Sequence, residues 1–506
     1  MSSFAAGLPV SHSHSSARAG DTADADVPLY VDLDGTLSKT DALWESFASA
    51  LRRRPWALPG AIAGLTRGRA ALKRRLAELG RPDAAVFPLR EAFADWLAEQ
   101  RAAGRRIVLA TAAERELAEA VAARVGLFDA VLASDGQHNL KGPGKLEAIR
   151  RDAAGRAFDY CGNGPEDVPI FAAARRAIVV GAPPGVLRRA RQRAEVGRVF
   201  DAAPSPLAKL LLGLRAARPH QWLKNLLVLV PMLTAFKLDE GLALSQVLLA
   251  FLSFSLAASS GYLLNDLLDL AADRRHPRKR ERAFAAGLLS VRSGFAGAAL
   301  LLIASLAIAI AVGRAFTGWV VIYLLMTGAY SGFAKRIALL DVAMLAGLYT
   351  VRVLAGGAAI GVALSFWLLA FSVFLFFSLA LVKRCGELVA QLARAEETGR
   401  GRGYEVSDLS VLQMLGIATS CAALLVLALY VQEPEVTQRY ASPQILWVML
   451  FGLLVWLGRL WLDTARGLMH DDPLVYALQN PASRWLVVLL LALYAVAALV
   501  SLPGLG

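Results

Sequence analysis

Four polar side chains at helical spacing follow a long apolar run in the second half of this sequence. They are Asn265, Asp266, Asp269 and Asp273, and the chain turns basic directly after them. Residues three or four positions apart share one helix face, so an oxygen-rich wall is predicted at the end of a membrane span. Mg²⁺ prefers such ligands and keeps positions for substrate phosphates. The pattern predicts a magnesium and diphosphate site, the alternative being a solvated helix end paired with its own arginines.

A second acidic group lies near the start of the chain. Asp32, Asp34 and Thr36 follow the apolar run at residues 27–31, which is predicted to be a buried strand. Open α/β sheets carry their catalytic groups at the carboxyl ends of strands. A carboxylate there can split phosphoryl transfer into two steps, and Mg²⁺ can neutralise the phosphate that is attacked. These residues are therefore predicted to lie at the catalytic edge of the sheet, and their chemistry is compatible with phosphoryl transfer.

The elements that must position this group alternate between strands and helices. Further strand-like runs occupy residues 106–111, 130–133, 158–161 and 177–180. This alternation predicts a mostly parallel, doubly wound, Rossmann-like α/β domain over residues 27–202. The long insertion between Thr36 and Thr111 is predicted to form a helical cap. Its basic, aromatic surface either contacts lipid headgroups or is simply solvated.

Composition indicates that the remainder of the chain lies in a membrane. The 506 residues are 56% hydrophobic, and the apolar excess follows residue 205. The net charge of +13 comes from basic residues clustered beside apolar runs, which favours topology signals and phosphorylated substrates over nucleic acid. Residues 1–26 read as a disordered tail and not as a signal peptide. Three cysteines without paired spacing are expected to be reduced thiols: Cys161, Cys385 and Cys421.

Nine apolar runs are each close in length to the ~20 residues that a bilayer core requires. They lie at 222–238, 244–268, 292–312, 317–334, 338–360, 365–382, 409–430, 444–461 and 485–502, after an amphipathic linker at 203–219. Their connections alternate between basic and weakly charged, so the soluble domain and the basic loops are predicted to be cytoplasmic and the C-terminus external. We predict an all-α membrane domain over residues 220–506 in a bacterial-type inner membrane.

Basic and aromatic side chains in the predicted cytoplasmic loops surround the acidic stretch. Arg352 is the most informative, because an isolated arginine inside an apolar run is costly and usually functional. The others have a second interpretation as topology anchors. Together they would form a cationic rim able to hold a diphosphate and a second phosphate. The rim comprises Lys224, Lys279, Arg280, Arg282, Tyr330, Lys335, Arg336, Arg352, Lys383 and Arg384.

Four ordered motifs in the first domain resemble those of the haloacid dehalogenase superfamily, which consists mostly of phosphatases. They are DLDGT at Asp32, the strand end at Thr111, a lysine at Lys145 or Lys141, and GNGPED from Gly162. The resemblance implies that Asp32 is the nucleophile that forms an aspartyl-phosphate. Lys145 is favoured over Lys141 because it opens a helix.

The same resemblance assigns the other roles. Asp34 is the general acid and then the general base, while Thr111 and the lysine bind the transferring phosphoryl group. Asp167 holds Mg²⁺ together with Asp32 and Asp34. Asn163 stands where many members of the superfamily have an aspartate, so its role is left open.

The acidic stretch, with RPHQWLKN before it and YSGFAKRIALLD after it, resembles the UbiA-type intramembrane prenyltransferases, which have nine helices around a central cavity. Aromatic prenyltransferases carry a second aspartate-rich motif beyond the sixth helix, where this chain has only Glu387. The pattern is therefore more similar to the decaprenyl-phosphate phosphoribosyltransferase branch. That branch transfers phosphoribose from phosphoribosyl pyrophosphate to a polyprenyl phosphate. The resemblance implies that Mg²⁺ on Asn265, Asp269 and Asp273 holds the donor diphosphate, with basic residues holding the other phosphates.

Together the two resemblances imply a bifunctional enzyme that uses Mg²⁺ in both domains. A tethered phosphatase would remove the 5-phosphate from the transferase product and leave polyprenyl-phosphoryl ribose. One alternative is a prenyltransferase acting on a small or aromatic acceptor, with an independent phosphatase domain. Another is a transporter or scaffold with a regulatory domain, although the sequence shows no internal repeat. Lipid chain length and oligomeric state, including a homo-oligomer, are left open.

Overall fold

The computed structural model describes residues 26–201, 203–237, 239–393, 403–469 and 473–500. It separates into two compact units. The first contains the described residues up to Gly213 together with Asp266–Gly294, and the second contains Leu214–Asn265 and the described residues from Phe295 onward. The predicted tail lies outside the described residues except for its last position.

The first unit is built on a six-stranded sheet in the order β3-β2-β1-β4-β5-β6, with every neighbouring pair parallel. This confirms the predicted parallel α/β domain. The strands are β1 (Leu29–Val31), β2 (Ile107–Glu114), β3 (Ala130–Ser134), β4 (Asp159–Gly162), β5 (Ala177–Val180) and β6 (Val196–Phe200). The edge strand β6 was not predicted, because most of its residues are exposed and it therefore lacks an apolar run.

Helices cover both faces of this sheet, which explains the continuous apolar runs of its central strands. Val31 of β1 lies level with Leu109 of β2 and with Cys161 of β4. The carboxyl ends of these three strands therefore meet at one edge. The helices of this unit are α1 (Ala42–Arg53), α2 (Leu58–Ala63), α3 (Arg69–Gly80), α4 (Glu91–Ala102), α5 (Arg115–Val125), α6 (Pro143–Ala153), α7 (Val168–Ala173) and α8 (Pro184–Arg193), followed by α9 (Pro206–Ala217) at the boundary between the units.

The insertion between β1 and β2 begins with α1, α2 and α3 and forms a small helical layer of its own. Asp41 starts α1 by accepting the backbone N–H groups of Leu43 and Trp44. α1 packs against α3 around a buried cluster of Ala50, Leu58, Ala61, Leu76 and Leu79. A Cβ on Gly80 would lie 2.4 Å from the Ser46 carbonyl oxygen, so the close approach of the two helices requires glycine there.

A buried ion-pair cluster fastens β4 to the rest of the first unit. The Asp159 carboxylate pairs with Arg105 and accepts hydrogen bonds from Arg175 at 2.7 and 3.0 Å. Burial alone would raise the pKa of Asp159, but these guanidinium groups hold it below its ordinary value. The charged carboxylate therefore stabilises the fold above the unfolded pKa of about 3.9.

We expect Asp159→Ala to lower the free energy of unfolding by about 3–5 kcal/mol, because it leaves the buried Arg105 without its counter-charge. Since the folded pKa is depressed, the wild-type contribution is lost as the pH falls through it, and the variant should lack this part of the acid sensitivity. Urea titration of the full chain read by pulse proteolysis measures both. Glu195→Ala, which removes an exposed ion pair with Arg176, is the matched control and should change little.

The second unit is helical and has eight helices that are long and apolar enough to cross a membrane, judged by length and composition among the described residues. They are α11 (Gly241–Leu268), α13 (Val291–Val312), α14 (Arg314–Gly332), α15 (Leu340–Ala359), α16 (Phe366–Leu392), α17 (Leu409–Gln432), α19 (Ile445–Ala465) and α21 (Pro481–Leu499). Shorter helices are α10 (Val230–Thr234), α12 (Leu270–Arg275), α18 (Pro434–Thr437) and α20 (Pro473–Gln479). The last residues of α11, all of α12 and the beginning of α13 belong to the first unit.

The predicted count of nine spans is thus not reached in the described part of the chain. Residues 222–237 of the first predicted span are divided between the 3₁₀ helix Pro219–Leu229 and the short helix α10. Pro231 lacks a backbone N–H, and Lys224 and Asn225 are buried inside the unit. An apolar run interrupted in this way does not form one continuous α-helix of spanning length.

Candidate active sites

The first candidate site lies where β1, β2 and β4 end. Asp32 follows β1, is almost fully buried, and accepts a hydrogen bond from Lys145 Nζ at 2.7 Å. Its second oxygen accepts the Thr36 hydroxyl at 3.3 Å. Burial, opposed by the charge of Lys145, raises the pKa of Asp32 to about 6. Asp32 is thus held next to the buried ammonium group of Lys145 at the carboxyl end of β1.

Asp34 is held differently from Asp32. One of its oxygens accepts the backbone N–H of Ala42 at 2.8 Å. Burial, together with the negative charges of Asp41 and Asp32, raises the pKa of Asp34 well above its ordinary value. A carboxyl group with a raised pKa beside a second carboxylate suits an acid and nucleophile pair.

The GNGPED turn closes the same site. Lys145 Nζ lies 3.0 Å from the Tyr160 hydroxyl and 3.4 Å from an Asp167 oxygen. The other Asp167 oxygen accepts the backbone N–H groups of Asn163 and Gly164 at 3.0 and 2.8 Å. Burial would lower the pKa of Lys145, but the charges of Asp32 and Asp167 outweigh it and raise that pKa. Two carboxylates therefore converge on one cation, and their hard oxygens fit Mg²⁺.

The glycine of the DLDGT motif is required for steric reasons. Gly35 has a φ of +76°, and a Cβ there would lie 2.0 Å from the Asn163 amide nitrogen. Asn163 thus packs directly against the Asp32 loop, a contact that sequence reasoning did not supply. Thr111, which was predicted to bind the phosphoryl group, is fully buried, and its hydroxyl accepts a hydrogen bond from the Ala113 N–H at 3.0 Å.

The structure separates the two lysine candidates. Lys145 is buried against Asp32, whereas Lys141 is half exposed and pairs with Glu166 at 3.1 Å. If Asp32 is the nucleophile that the resemblance implies, Lys145→Met should lower the kcat for phosphate-ester hydrolysis by about 10²–10³-fold, because it removes the cation beside that carboxylate. Lys141→Met is the matched control and should cost less than about threefold. Hydrolysis of p-nitrophenyl phosphate by the full chain measures both, and equal losses would contradict the assignment.

The acidic stretch does not lie on one continuous helix as predicted. α11 ends at Leu268 and α12 starts at Leu270, so the helical face is interrupted at Asp269. Asp266 and Asp273 are buried, and both carboxylates accept a hydrogen bond from Arg282 Nη1, at 3.0 and 2.8 Å. Burial, opposed by Arg282, raises the pKa of Asp273. The interruption therefore turns two of the four side chains toward one shared cation.

Asp269 has another partner. Its carboxylate accepts a hydrogen bond from Arg52 Nη1 at 2.6 Å, and the same nitrogen donates to the Leu268 carbonyl oxygen at 2.9 Å. Within the described residues, no group of three or more His, Cys, Asp or Glu side chains is arranged to hold a metal ion. Two carboxylates that already share one cationic nitrogen nevertheless have the oxygen chemistry that fits Mg²⁺.

A buried ion pair that the sequence did not predict joins this stretch to the cap. Arg274 makes two hydrogen bonds to the Glu45 carboxylate, at 2.6 and 3.1 Å, although 229 positions separate them. Glu45 also accepts the Thr40 hydroxyl at 2.6 Å, and Arg274 donates to the Ala285 carbonyl at 3.0 Å. Residues just after the DLDGT loop and residues beside Asp273 thus share one hydrogen-bonded network.

The second unit contains a cavity of about 170 Å³ lined by Asn265 and by several predicted rim residues. Those rim residues are Lys224, Tyr330, Arg352 and Lys383. The cavity lining includes three cationic side chains and no carboxylate among the described residues. Such a lining is suited to an anion.

Arg352 is held rigidly in this cavity. Its Nε donates to Asn225 at 2.8 Å, and its guanidinium lies 4.8 Å from the centre of the Tyr323 ring. Arg384, by contrast, is fully buried in an ion pair with Asp341 and donates to Glu387 and to the Tyr330 hydroxyl at 2.7 and 2.8 Å. The structure therefore places Arg352 at the cavity and Arg384 in a packed cluster beside it.

The remaining predicted rim residues lie in short 3₁₀ turns. Lys279 and Arg280 are exposed in the turn Lys279–Glu281 of the first unit. Lys335 is half-buried and Arg336 exposed in the turn Ala334–Arg336 of the second. The structure does not gather these four side chains around the cavity described above.

Two protein-family models match this chain, and several known proteins are similar to it. The model of the UbiA prenyltransferase family matches residues 228–462, and that of the haloacid dehalogenase-like hydrolases matches residues 29–172. A protein named y4nM from Sinorhizobium fredii is 37% identical over 473 residues, covering 93% of this chain and 91% of that protein. Nodulation protein NoeC from Azorhizobium caulinodans is 36% identical over 53% of this chain and 87% of its own. A decaprenyl-phosphate phosphoribosyltransferase from Mycobacterium tuberculosis is 36% identical over 46% of this chain and 79% of its own.

Proposed function

Because this chain belongs to the UbiA prenyltransferase family and carries a haloacid dehalogenase-like domain in front of it, we propose that it is a bifunctional membrane enzyme. It transfers 5-phosphoribose from phosphoribosyl pyrophosphate to a polyprenyl phosphate and then removes the 5-phosphate. The product is polyprenyl-phosphoryl ribose. The observation that carries the proposal is the second-unit cavity, whose lining brings together three cationic side chains and therefore suits a phosphate.

In the transfer step, an oxygen of the lipid phosphate attacks C1 of the ribose. The bond from C1 to the diphosphate breaks, a phosphodiester forms, and pyrophosphate leaves. Lys224, Arg352 and Lys383 would bind and orient the lipid phosphate in the cavity. Asp266, Asp269 and Asp273, with Asn265 beside them in sequence, would hold Mg²⁺, which when bound neutralises the leaving diphosphate.

In the hydrolytic step, Asp32 attacks the phosphorus of the 5-phosphate and the bond to the ribose oxygen breaks. Asp34 gives its proton to that oxygen, and its raised pKa suits this task. Asp34 then takes a proton from water, which attacks the aspartyl-phosphate and releases inorganic phosphate. Lys145 stabilises the charge on the transferring group, and Asp32, Asp34 and Asp167 would hold Mg²⁺.

The location of this chemistry is part of the proposal. The basic loops and the first unit would face the cytoplasm of a bacterial inner membrane, and the C-terminus would lie outside. Phosphoribosyl pyrophosphate is highly charged and does not cross a bilayer unaided, so the transfer and the hydrolysis would both take place on that side of the membrane.

One assay tests the proposal. Purified full-length protein in lipid nanodiscs is given phosphoribosyl pyrophosphate, Mg²⁺ and polyprenyl phosphate. We expect equal amounts of pyrophosphate and inorganic phosphate, with the phosphate appearing after the pyrophosphate, and a lipid product without a phosphomonoester by mass spectrometry. Turnover only of a prenyl diphosphate with an aromatic acid would contradict the proposal and support a prenyltransferase.

A further inference from the structure

The cleft around Asp32 is much larger than one phosphate group requires. Its volume is about 810 Å³, and all of its lining residues belong to the first unit. Six of these side chains are cationic, although the chemistry at Asp32 uses only Lys145. The six are Lys39, Arg69, Lys73, Lys141, Lys145 and Arg292.

The carboxylates of the cleft all have partners within the protein. Asp32 and Asp167 face Lys145, and Asp34 accepts a backbone N–H group. Outside this catalytic group, Asp41 and Glu114 accept backbone N–H groups at the starts of α1 and α5.

The six cations of the cleft differ in whether they have partners within the protein. Glu166 pairs with Lys141, and Lys73 donates to the Ala112 carbonyl at 2.6 Å and to Asn139 at 3.0 Å. Within the described part of the chain, no carboxylate forms an ion pair with Lys39, Arg69 or Arg292. These three cations are therefore available to an anion that enters the cleft.

Apolar side chains lie in the same cleft. The cap contributes Leu43, Trp44, Leu65 and Leu72, of which Leu65 is 48% exposed. Arg69 stands one helical turn before Lys73 on α3, and Lys73 fastens that helix to the end of β2. The cap therefore brings a cation and an apolar wall to the cleft in which the phosphomonoester would be cleaved.

We propose that Lys39, Arg69 and Arg292 form a second anion subsite that binds a phosphodiester of the substrate, and that the cap leucines and Trp44 contact the lipid chain attached to it. This inference rests on the proposed function and specifies the substrate of its hydrolytic step. A lipid-linked phosphoribose carries a monoester at one end of the sugar and a diester at the other. Arginine guanidinium groups suit the diester because they offer charged, paired hydrogen-bond donors to phosphate oxygens.

The test compares three substrates that share a ribose 5-phosphate. The first is methyl riboside 5-phosphate, the second carries a methyl phosphodiester at C1, and the third a farnesyl phosphodiester at C1. For the full-length enzyme we expect kcat/KM to rise from the first to the second and again to the third. In Arg69→Gln and in Arg292→Gln, the ratio of kcat/KM for the second over the first should fall by about tenfold, as expected for loss of a charged hydrogen bond.

Arg75→Gln is the matched control, because Arg75 lies on the same helix but is exposed and pairs with Glu78. Its ratio should equal that of the wild type. Both kcat/KM values of each ratio are measured on one preparation, so a partly inactive fraction lowers both equally and leaves their ratio unchanged. If both arginine variants keep the wild-type ratio, the anion subsite is wrong. Equal values for the methyl and farnesyl diesters would overturn the role of the apolar wall.

Failure of the proposed function would give a different result. In that case the wild type would hydrolyse p-nitrophenyl phosphate but neither diester substrate. Hydrolysis of all three ribose 5-phosphates at one kcat/KM would instead leave the proposed function standing and remove the subsite.

Discussion

An Asp32→Asn variant is expected to make the phosphorylated lipid and to stop there. Asparagine keeps the size of the side chain but cannot form the aspartyl-phosphate, so phosphate release should fall by about a thousandfold or more. Lys145 keeps Asp167 as a counter-charge at 3.4 Å, so the site should stay folded. Mass spectrometry of the lipid product and a colorimetric phosphate assay measure the effect.

The transfer step provides the internal control for this variant. Pyrophosphate release from phosphoribosyl pyrophosphate should remain within about twofold of the wild type, since Asp32 takes no part in it. Inorganic phosphate released at the wild-type rate would show that Asp32 is not the nucleophile. Loss of both products together would mean that the two activities cannot be separated at this residue.

An Asp269→Ala variant is expected to lose the transfer step. If Asp269 is a ligand of the metal that holds the donor diphosphate, its removal should lower pyrophosphate release by about two orders of magnitude or more. Hydrolysis of p-nitrophenyl phosphate should persist, because Asp269 does not line the cleft around Asp32. Titration of Mg²⁺ should show a weaker apparent affinity in the transfer assay.

Asp269 also bonds to Arg52, so the loss of that contact must be separated from the loss of a ligand. Arg52→Ala removes the same ion pair and leaves the carboxylate in place. The Arg52 side chain is 41% exposed, and an ion pair so exposed contributes about 0–1 kcal/mol. Arg52→Ala should therefore keep transfer within about twofold of the wild type. If Arg52→Ala lowered pyrophosphate release as much as Asp269→Ala, the transfer step would depend on the ion pair between Arg52 and Asp269, and metal binding by Asp269 would not be supported.

Much of the architecture could be predicted because it depends on local pattern. DLDGT after an apolar run marks the end of a buried strand, and strands alternating with helices specify a parallel sheet whose carboxyl ends meet. Apolar runs of spanning length identify eight helices in the same way. The exceptions have physical reasons, since β6 is exposed and the run at 222–238 is interrupted by Pro231 and by buried polar groups.

The partners of the polar side chains could not be predicted, because each joins residues far apart in the chain. The sequence contains two lysines near the third motif, and only the packing of α6 puts Lys145 at Asp32 and Lys141 at Glu166. No periodicity links Glu45 to Arg274.

The acidic stretch from Asn265 to Asp273 illustrates both what the sequence predicts and what it does not. Its residue types alone indicate an oxygen-rich site for a cation, since carboxylates so close in sequence require a counter-charge. Only the tertiary structure decides how they are used, because the helix is interrupted at Asp269 and the directions of the side chains change there. Asp266 and Asp273 then share Arg282, and Asp269 turns to Arg52. Sequence thus determines the chemistry that is available, and the fold determines which groups meet, because distance in space is set by packing.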